Sequence, residues 1–132
     1  MAKSSGIQLI TGSFTPAKEG MVLIDYGKSV SRYILLIEMD DASVESLAEA
    51  GLTSNKAYGF LSIYQWKEVN GSAPSIVALY CRYNGSSTTS SSVNISMTDS
   101  GFALRSYDIS MQSSSTLIIG YTYNYTVIPI DL

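Results

Sequence analysis

Through most of the chain apolar and polar residues alternate singly. That is the period of an extended strand, in which successive side chains point to opposite faces. The alternation is clearest in LIIGYTYNYTVI near the C-terminus, where Tyr121, Tyr123 and Tyr125 share one parity and Thr122, Asn124 and Thr126 the other. Followed along the chain, the pattern predicts strands over 7–14, 21–26, 32–39, 59–66, 75–83, 92–98, 102–111 and 116–128. Turn-formers separate them at short spacing, and no βαβ rhythm is visible. The expectation is an all-β fold: an antiparallel β-sandwich, jelly-roll-like, of about eight strands. It would form a single domain over 7–132 behind a flexible arm at 1–6. Asn70-Gly71 and Asn84-Gly85 mark loops where positive φ comes cheaply. Pro16, Pro74 and Pro129 fall outside the expected strands, where a missing N–H does no harm.

Four stretches depart from plain alternation. DDASVESLAEAG predicts one short helix around 43–50, with Asp41 or Ser43 as cap, Glu45 in the first turns and Gly51 just past the end. Its apolar stripe, Val44, Leu47 and Ala48, is too short to hold a helix alone, so it should pack over a sheet end or edge. RYILLIEM at 32–39 is apolar on both parities, which predicts cover on both sides, by the helix or by another subunit. In 102–111 the parity slips between Leu104 and Tyr107, and a bulge near Arg105-Ser106 would restore it. GSSTTSSS at 85–92 reads as a mobile polar loop.

Composition narrows the function classes. The 132 residues are 45% hydrophobic and 14% charged with a formal net charge of −3, and the eight Lys and Arg are scattered. Nucleic-acid binding, which needs clustered cations, has no support. No apolar run is long enough to span a bilayer as a helix, so membrane insertion is not expected. MAKSSGIQ lacks the apolar core of a secretory signal, so synthesis in a cytoplasm is expected. Histidine is absent, which removes His-dependent triads and His-ligated metals. The single cysteine, Cys81, shares parity with Val77 and Leu79 and reads as an inert core residue.

Little remains from which to build a catalyst. Glu38, Asp40 and Asp41 cluster at the end of one strand, but a strand running into a helix cap explains them, and no calcium-loop pattern accompanies them. No glycine set forms a phosphate loop, and the four N-x-[ST] matches, at Asn70, Asn84, Asn94 and Asn124, read as chance in a Ser/Thr-rich chain. No catalytic residue, cofactor or metal is therefore expected. Tyr121, Tyr123, Tyr125 and Trp66 are the candidate contact residues. The tyrosines could form the inner wall of a sandwich, a platform for a sugar, or part of a subunit interface. The polar row behind them favours the inward orientation.

The segment Gly12-Ser13-Phe14-Thr15-Pro16-Ala17, followed by strands at 21–26 and 32–39, resembles the opening of a bacteriophage virion domain. In that family a G-[ST]-F-T-P-A motif precedes a strand, a turn and a second apolar strand. An aromatic-alternating final strand like YTYNYTVIPI recurs there too. Where relatives often carry a His-Gly-Leu-Gly-type turn followed by proline, this chain has Tyr26-Gly27-Lys28-Ser29. The resemblance implies a β-sandwich of phage tails, fibres or head appendages, located in the virion, with other virion proteins as partners and no catalytic residues. Homo-oligomerisation, as a dimer or trimer, is expected with it. The competing expectation is a carbohydrate-binding module, its host-surface glycan held by the candidate aromatic residues.

Overall fold

The computed structural model describes residues 8–49, 57–65, 75–83, 88–92, 95–110 and 117–130, with mainly the backbone described between 57 and 92. Its elements, in chain order, are β1 (Ile10–Phe14), β2 (Gly20–Asp25), β3 (Arg32–Met39), α1 (Asp41–Glu49), β4 (Ala57–Gln65), β5 (Ser75–Tyr83), β6 (Thr88–Ser92), β7 (Ser96–Met97), β8 (Gly101–Tyr107), β9 (Leu117–Ile118) and β10 (Tyr123–Pro129). They form two sheets, one in the order β1-β10-β3-β4-β5-β6 and a smaller one in the order β2-β8-β7, with β9 joined to β8. The architecture is all-β and sandwich-like, as the alternation predicts. Among the described residues all pairings are antiparallel except the two-residue β8–β9 pair, which is parallel.

Successive strands near the N-terminus go to different sheets. β1 pairs with β10 in the large sheet, while β2 pairs with β8 in the small one. The β1–β2 segment therefore winds across the sandwich against β8–β10, which is the swirl of a jelly roll. Within the large sheet β3 to β6 form a simple meander. Between the sheets lies one core cluster. The large sheet contributes Tyr33, Leu35, Ile37, Met39, Tyr123 and Val127, and the small sheet contributes Met97, Phe102, Leu104, Leu117 and Ile118. Leu47 of α1 joins the same cluster, so the helix closes the sandwich at the end where β3 leaves it.

At one point the motif at the N-terminus becomes intelligible. Gly12 stands opposite Tyr125 in the β1–β10 ladder, and the Tyr125 ring lies directly over it, where a Cβ would collide. Two residues on, Phe14 inserts between Tyr123 and Phe102, at 5.7 and 6.0 Å between ring centroids. Pro16 is buried, and its carbonyl accepts a hydrogen bond from the Gly120 N–H at 2.9 Å. Thr15 and Thr122 share a hydroxyl–hydroxyl bond of 2.8 Å. GSFTP is thus a packing seam that fastens β1 to the start of β10.

The structure corrects several expectations. The run 116–128 is two strands. Gly120, with φ of +89°, turns the chain between β9 in the small sheet and β10 in the large one, and alternation cannot register such a change of sheet. The helix is capped by Asp40, whose Oδ1 accepts from the Ser43 N–H at 2.8 Å, rather than by Asp41 or Ser43. Ser43 instead offers its Oγ to the Thr122 N–H at 2.9 Å. No bulge occurs at Arg105-Ser106, because the β2–β8 register runs unbroken from Gly20↔Ser106 to Asp25↔Gly101. Ser106 takes the inward position and satisfies its hydroxyl on the Lys18 and Gly20 carbonyls, after which the strand ends. The irregularity lies between Ala57 and Gly59 of β4. The polar stretch at 85–92 contains β6, since an edge strand needs backbone partners more than apolar side chains. The strand expected at 92–98 is reduced to β7, and Pro129 closes β10 instead of following it. The arm at 1–6, Gly51, Met111 and the two Asn-Gly loops lie outside the described residues.

Substituting Gly12→Val is expected to displace the Tyr125 ring and cost about 1–3 kcal/mol in chemical denaturation, as an overpacked site does. A loss below a few tenths would mean that the ring is not seated there.

Candidate functional site: the tyrosine row and the two outer sheet faces

The tyrosines that dominate the sequence pattern turn inward. Tyr123 is completely buried, stacked on Phe14, and its hydroxyl oxygen accepts a hydrogen bond from the Ile118 N–H at 2.9 Å. It therefore bolts β9 of one sheet to β10 of the other. Tyr125 is partly buried, edge-on to Phe102 at 5.9 Å and tilted against Tyr26 at 6.0 Å. Tyr121 precedes β10, in the connection after the Gly120 turn, and packs partly against the core. Trp66, the fourth candidate contact, lies outside the described residues.

A second tyrosine pair closes the other end of the aromatic layer. Tyr33 donates its hydroxyl to the Thr98 carbonyl at 2.6 Å, and the Tyr26 hydroxyl donates to Tyr33 at 3.3 Å. The two rings meet edge-to-face at 5.5 Å. Burial, and secondarily the bond to Tyr33, pushes the Tyr26 hydroxyl well above the ordinary tyrosine range. Burial does the same to Tyr123, although the hydrogen bond from Ile118 opposes it. Both rings stay neutral and act as packing elements with one satisfied polar atom each.

Contact chemistry has to be sought on the outward faces. On the large sheet, the outward parity of β3 reads Arg32, Ile34, Leu36, Glu38. Its two ends are exposed, and its two aliphatic members are only partly buried. Ile128 of β10 stands opposite Ile34, and Thr126 opposite Leu36. On the other side the backbone ladder pairs Ile34 with Ile63 and Leu36 with Leu61 of β4. Polar positions flank the row on the β1 side: Thr11 and Ser13 along β1, and Asn124 beside Glu38. Partly open aliphatic side chains flanked by polar ones are the kind of composition found at protein–protein contacts.

The small sheet offers a different surface. Met21, Leu23 and Asp25 of β2 point outward, and Leu23 is 76% exposed. Opposite Leu23 and Asp25 the outward positions of β8 are Ala103 and Gly101, which leave a trough, while the exposed Arg105 stands opposite Met21. The trough is an open groove of about 250 Å³ with Leu23 and Asp25 on one side and Ser96, Thr98 and Ser100 on the other. Asp25 is partly committed, since its Oδ1 accepts from the Gly27 N–H at 2.7 Å. Thr98 bonds within its own turn, donating to the Gly101 carbonyl and accepting from the Ser100 N–H. Sequence reading missed this groove, although MVLI in β2 is apolar on both parities, the same signal that drew attention to β3.

The acidic cluster is dispersed by the fold. Asp40 caps α1, Asp41 opens it on the exposed side, and Glu38 belongs to the outward row of β3. Among the described residues no group of three or more His, Cys, Asp or Glu is placed to hold a metal ion, and no helix is long and apolar enough to cross a membrane. No protein-family model, curated protein or solved structure matches this chain.

Tyr123→Phe should cost about 1–3 kcal/mol at neutral pH, because the buried Ile118 N–H loses its partner. It should also change the alkaline response. With its pKa raised in the folded state, the Tyr123 contribution is complete below pH 10.0, the ordinary tyrosine value, and falls away as pH rises and the unfolded chain ionises first. Denaturant titrations on either side of that pH should show the variant losing less stability than the parent. Parallel curves would contradict the buried, neutral ring.

Proposed function

We propose that this chain is a non-enzymatic structural component of a bacteriophage particle. It acts as a head- or tail-attached appendage that works by self-association and by attachment to other virion proteins. The observation that carries the reading is the outward face of β3. Ile34 and Leu36 sit on a central strand with hydrogen-bonded neighbours on both sides, so their partly open aliphatic surface is available only to something that covers the sheet face. Clustered aliphatic residues on a sheet face are costly to leave in water and are the usual mark of a contact. The GSFTPA resemblance supports the particle assignment. The role of that segment as a seam between β1 and β10 fits a motif kept for architecture.

A second reading draws on the groove of the small sheet. Three hydroxyl-bearing residues and the Asp25 carboxylate around an open trough offer hydrogen-bond partners suited to a sugar, with Leu23 as an apolar wall. This reading transfers the carbohydrate-binding expectation from the tyrosine row, which faces inward, to the opposite surface.

Size exclusion with light scattering, and capture of other virion proteins by the immobilised chain, should reveal a homo-oligomer at micromolar concentration with at least one particle partner. A strict monomer that captures none would sink the structural reading. A glycan array on which binding appears and is lost in Asp25→Ala would support the second reading in its place.

A further inference from the structure

The outward row of β3 has a charge order that a second copy can match. Arg32 stands at one end and Glu38 at the other, with Ile34 and Leu36 between, spanning roughly 20 Å at the rise of a strand. A two-fold axis lying between two such faces, perpendicular to the strands and crossing β3 at Leu35, reverses the row in the second copy. Arg32 then faces Glu38 of the second copy, Ile34 faces its Leu36, and each relation is repeated by symmetry. We propose that the self-association surface is this one: an isologous, face-to-face dimer through the large sheet, with β3 antiparallel to β3 of the second copy.

The alternatives fail on the same residues. An axis along the strand would place Arg32 over Arg32 and Glu38 over Glu38, opposing like charges at both ends. A three-fold ring uses two different patches and draws nothing from the self-complementary order. Two sheets stacked face to face lie about 10 Å apart, a gap that interdigitating aliphatic side chains fill and that long Arg and Glu side chains can bridge at the rim. Six strands at ~4.8 Å by ~20 Å give a face on the order of 600 Å² per copy, near the lower end for a specific interface. An interface of that size suits a reversible dimer, whereas obligate dimers bury far larger areas.

The inference rests on the self-association reading above, and the test separates the two. Sedimentation equilibrium on the full chain is compared for the parent, for Arg32→Glu, for Glu38→Arg, and for an equimolar mixture of the two variants. Circular dichroism checks that each variant is folded. The parent should dimerise, and each variant alone should dissociate about tenfold more readily, since like charges then meet at both ends. The mixture should regain parental affinity as a heterodimer, because every end contact again joins opposite charges. A monomeric parent at all concentrations overturns the self-association reading and the dimer together. A parent that associates while the variants match it, or a mixture that shows no recovery, overturns the face-to-face dimer and leaves self-association standing. If a variant misfolds, the parent's salt response decides: affinity that does not weaken between about 0.05 M and about 0.5 M salt overturns the charge-matched contact.

Discussion

A strand divides its side chains between two faces, and a sandwich core can take only one of them. β3 presses that constraint further than its neighbours, because its sequence is aliphatic on both parities. Tyr33, Leu35, Ile37 and Met39 go to the core and are almost completely shielded. Ile34 and Leu36 are left on the opposite side, on a strand whose backbone is already paired with β10 and β4. α1 does not resolve the matter. It leaves β3 at the strand's end and buries Leu47 among the core residues, which places it over the end of the sandwich. Among the described residues, the outer face therefore keeps two aliphatic side chains on a central strand only partly buried, and the proposed self-association starts from that exposure.

The inner face is organised by rings. Phe14, Tyr26, Phe102, Tyr123 and Tyr125 form a connected aromatic layer between the sheets, with centroid separations of 5.7–6.2 Å among the neighbouring pairs Phe14–Tyr123, Phe14–Phe102, Tyr26–Phe102 and Phe102–Tyr125. Such pairs contribute beyond their buried area, roughly 0.5–1.5 kcal/mol each. More is gained from where their hydroxyls end. Tyr123 reaches across from the large sheet to the Ile118 amide of the small one, and Tyr33 reaches the turn that joins β7 to β8. Both are bonds between sheets, which side-chain packing alone would leave free to slide.

Much of this could be read from the chain, for a physical reason. Alternation reports which face a residue occupies, so β3 and β5 have their expected bounds, and Tyr123 and Tyr125 turn inward as the polar row behind them implies. What alternation cannot report is which sheet a strand joins. The single run at 116–128 hides a crossing from one sheet to the other, visible only in the positive φ of Gly120. Nor does it anticipate edge strands held by backbone pairing, which is why the Ser/Thr stretch of β6 reads as a loop. The parity slip near Ser106 invites a bulge because Phe102 and Leu104 are expected to share the core with Tyr107, Ile109 and Met111, whereas here Ser106 holds the inward position with its hydroxyl on two carbonyls and the register stays unbroken. At the surface, β3 announced itself through aliphatic residues on both parities. The groove on the small sheet carried half of that signal, MVLI in β2 being apolar on both parities, but its floor of Gly101 and Ala103 belongs to a distant strand whose pairing with β2 the sequence does not show.

The outer face of β3 can be observed directly with methyl-labelled isoleucine and leucine in solution NMR over a dilution series. If the large sheet is the contact surface, the Ile34 and Ile128 methyl resonances should move with concentration, while Leu23 on the small sheet and Ile37 in the core stay fixed. Stationary Ile34 and Ile128 signals throughout, or movement confined to Leu23, would contradict the account.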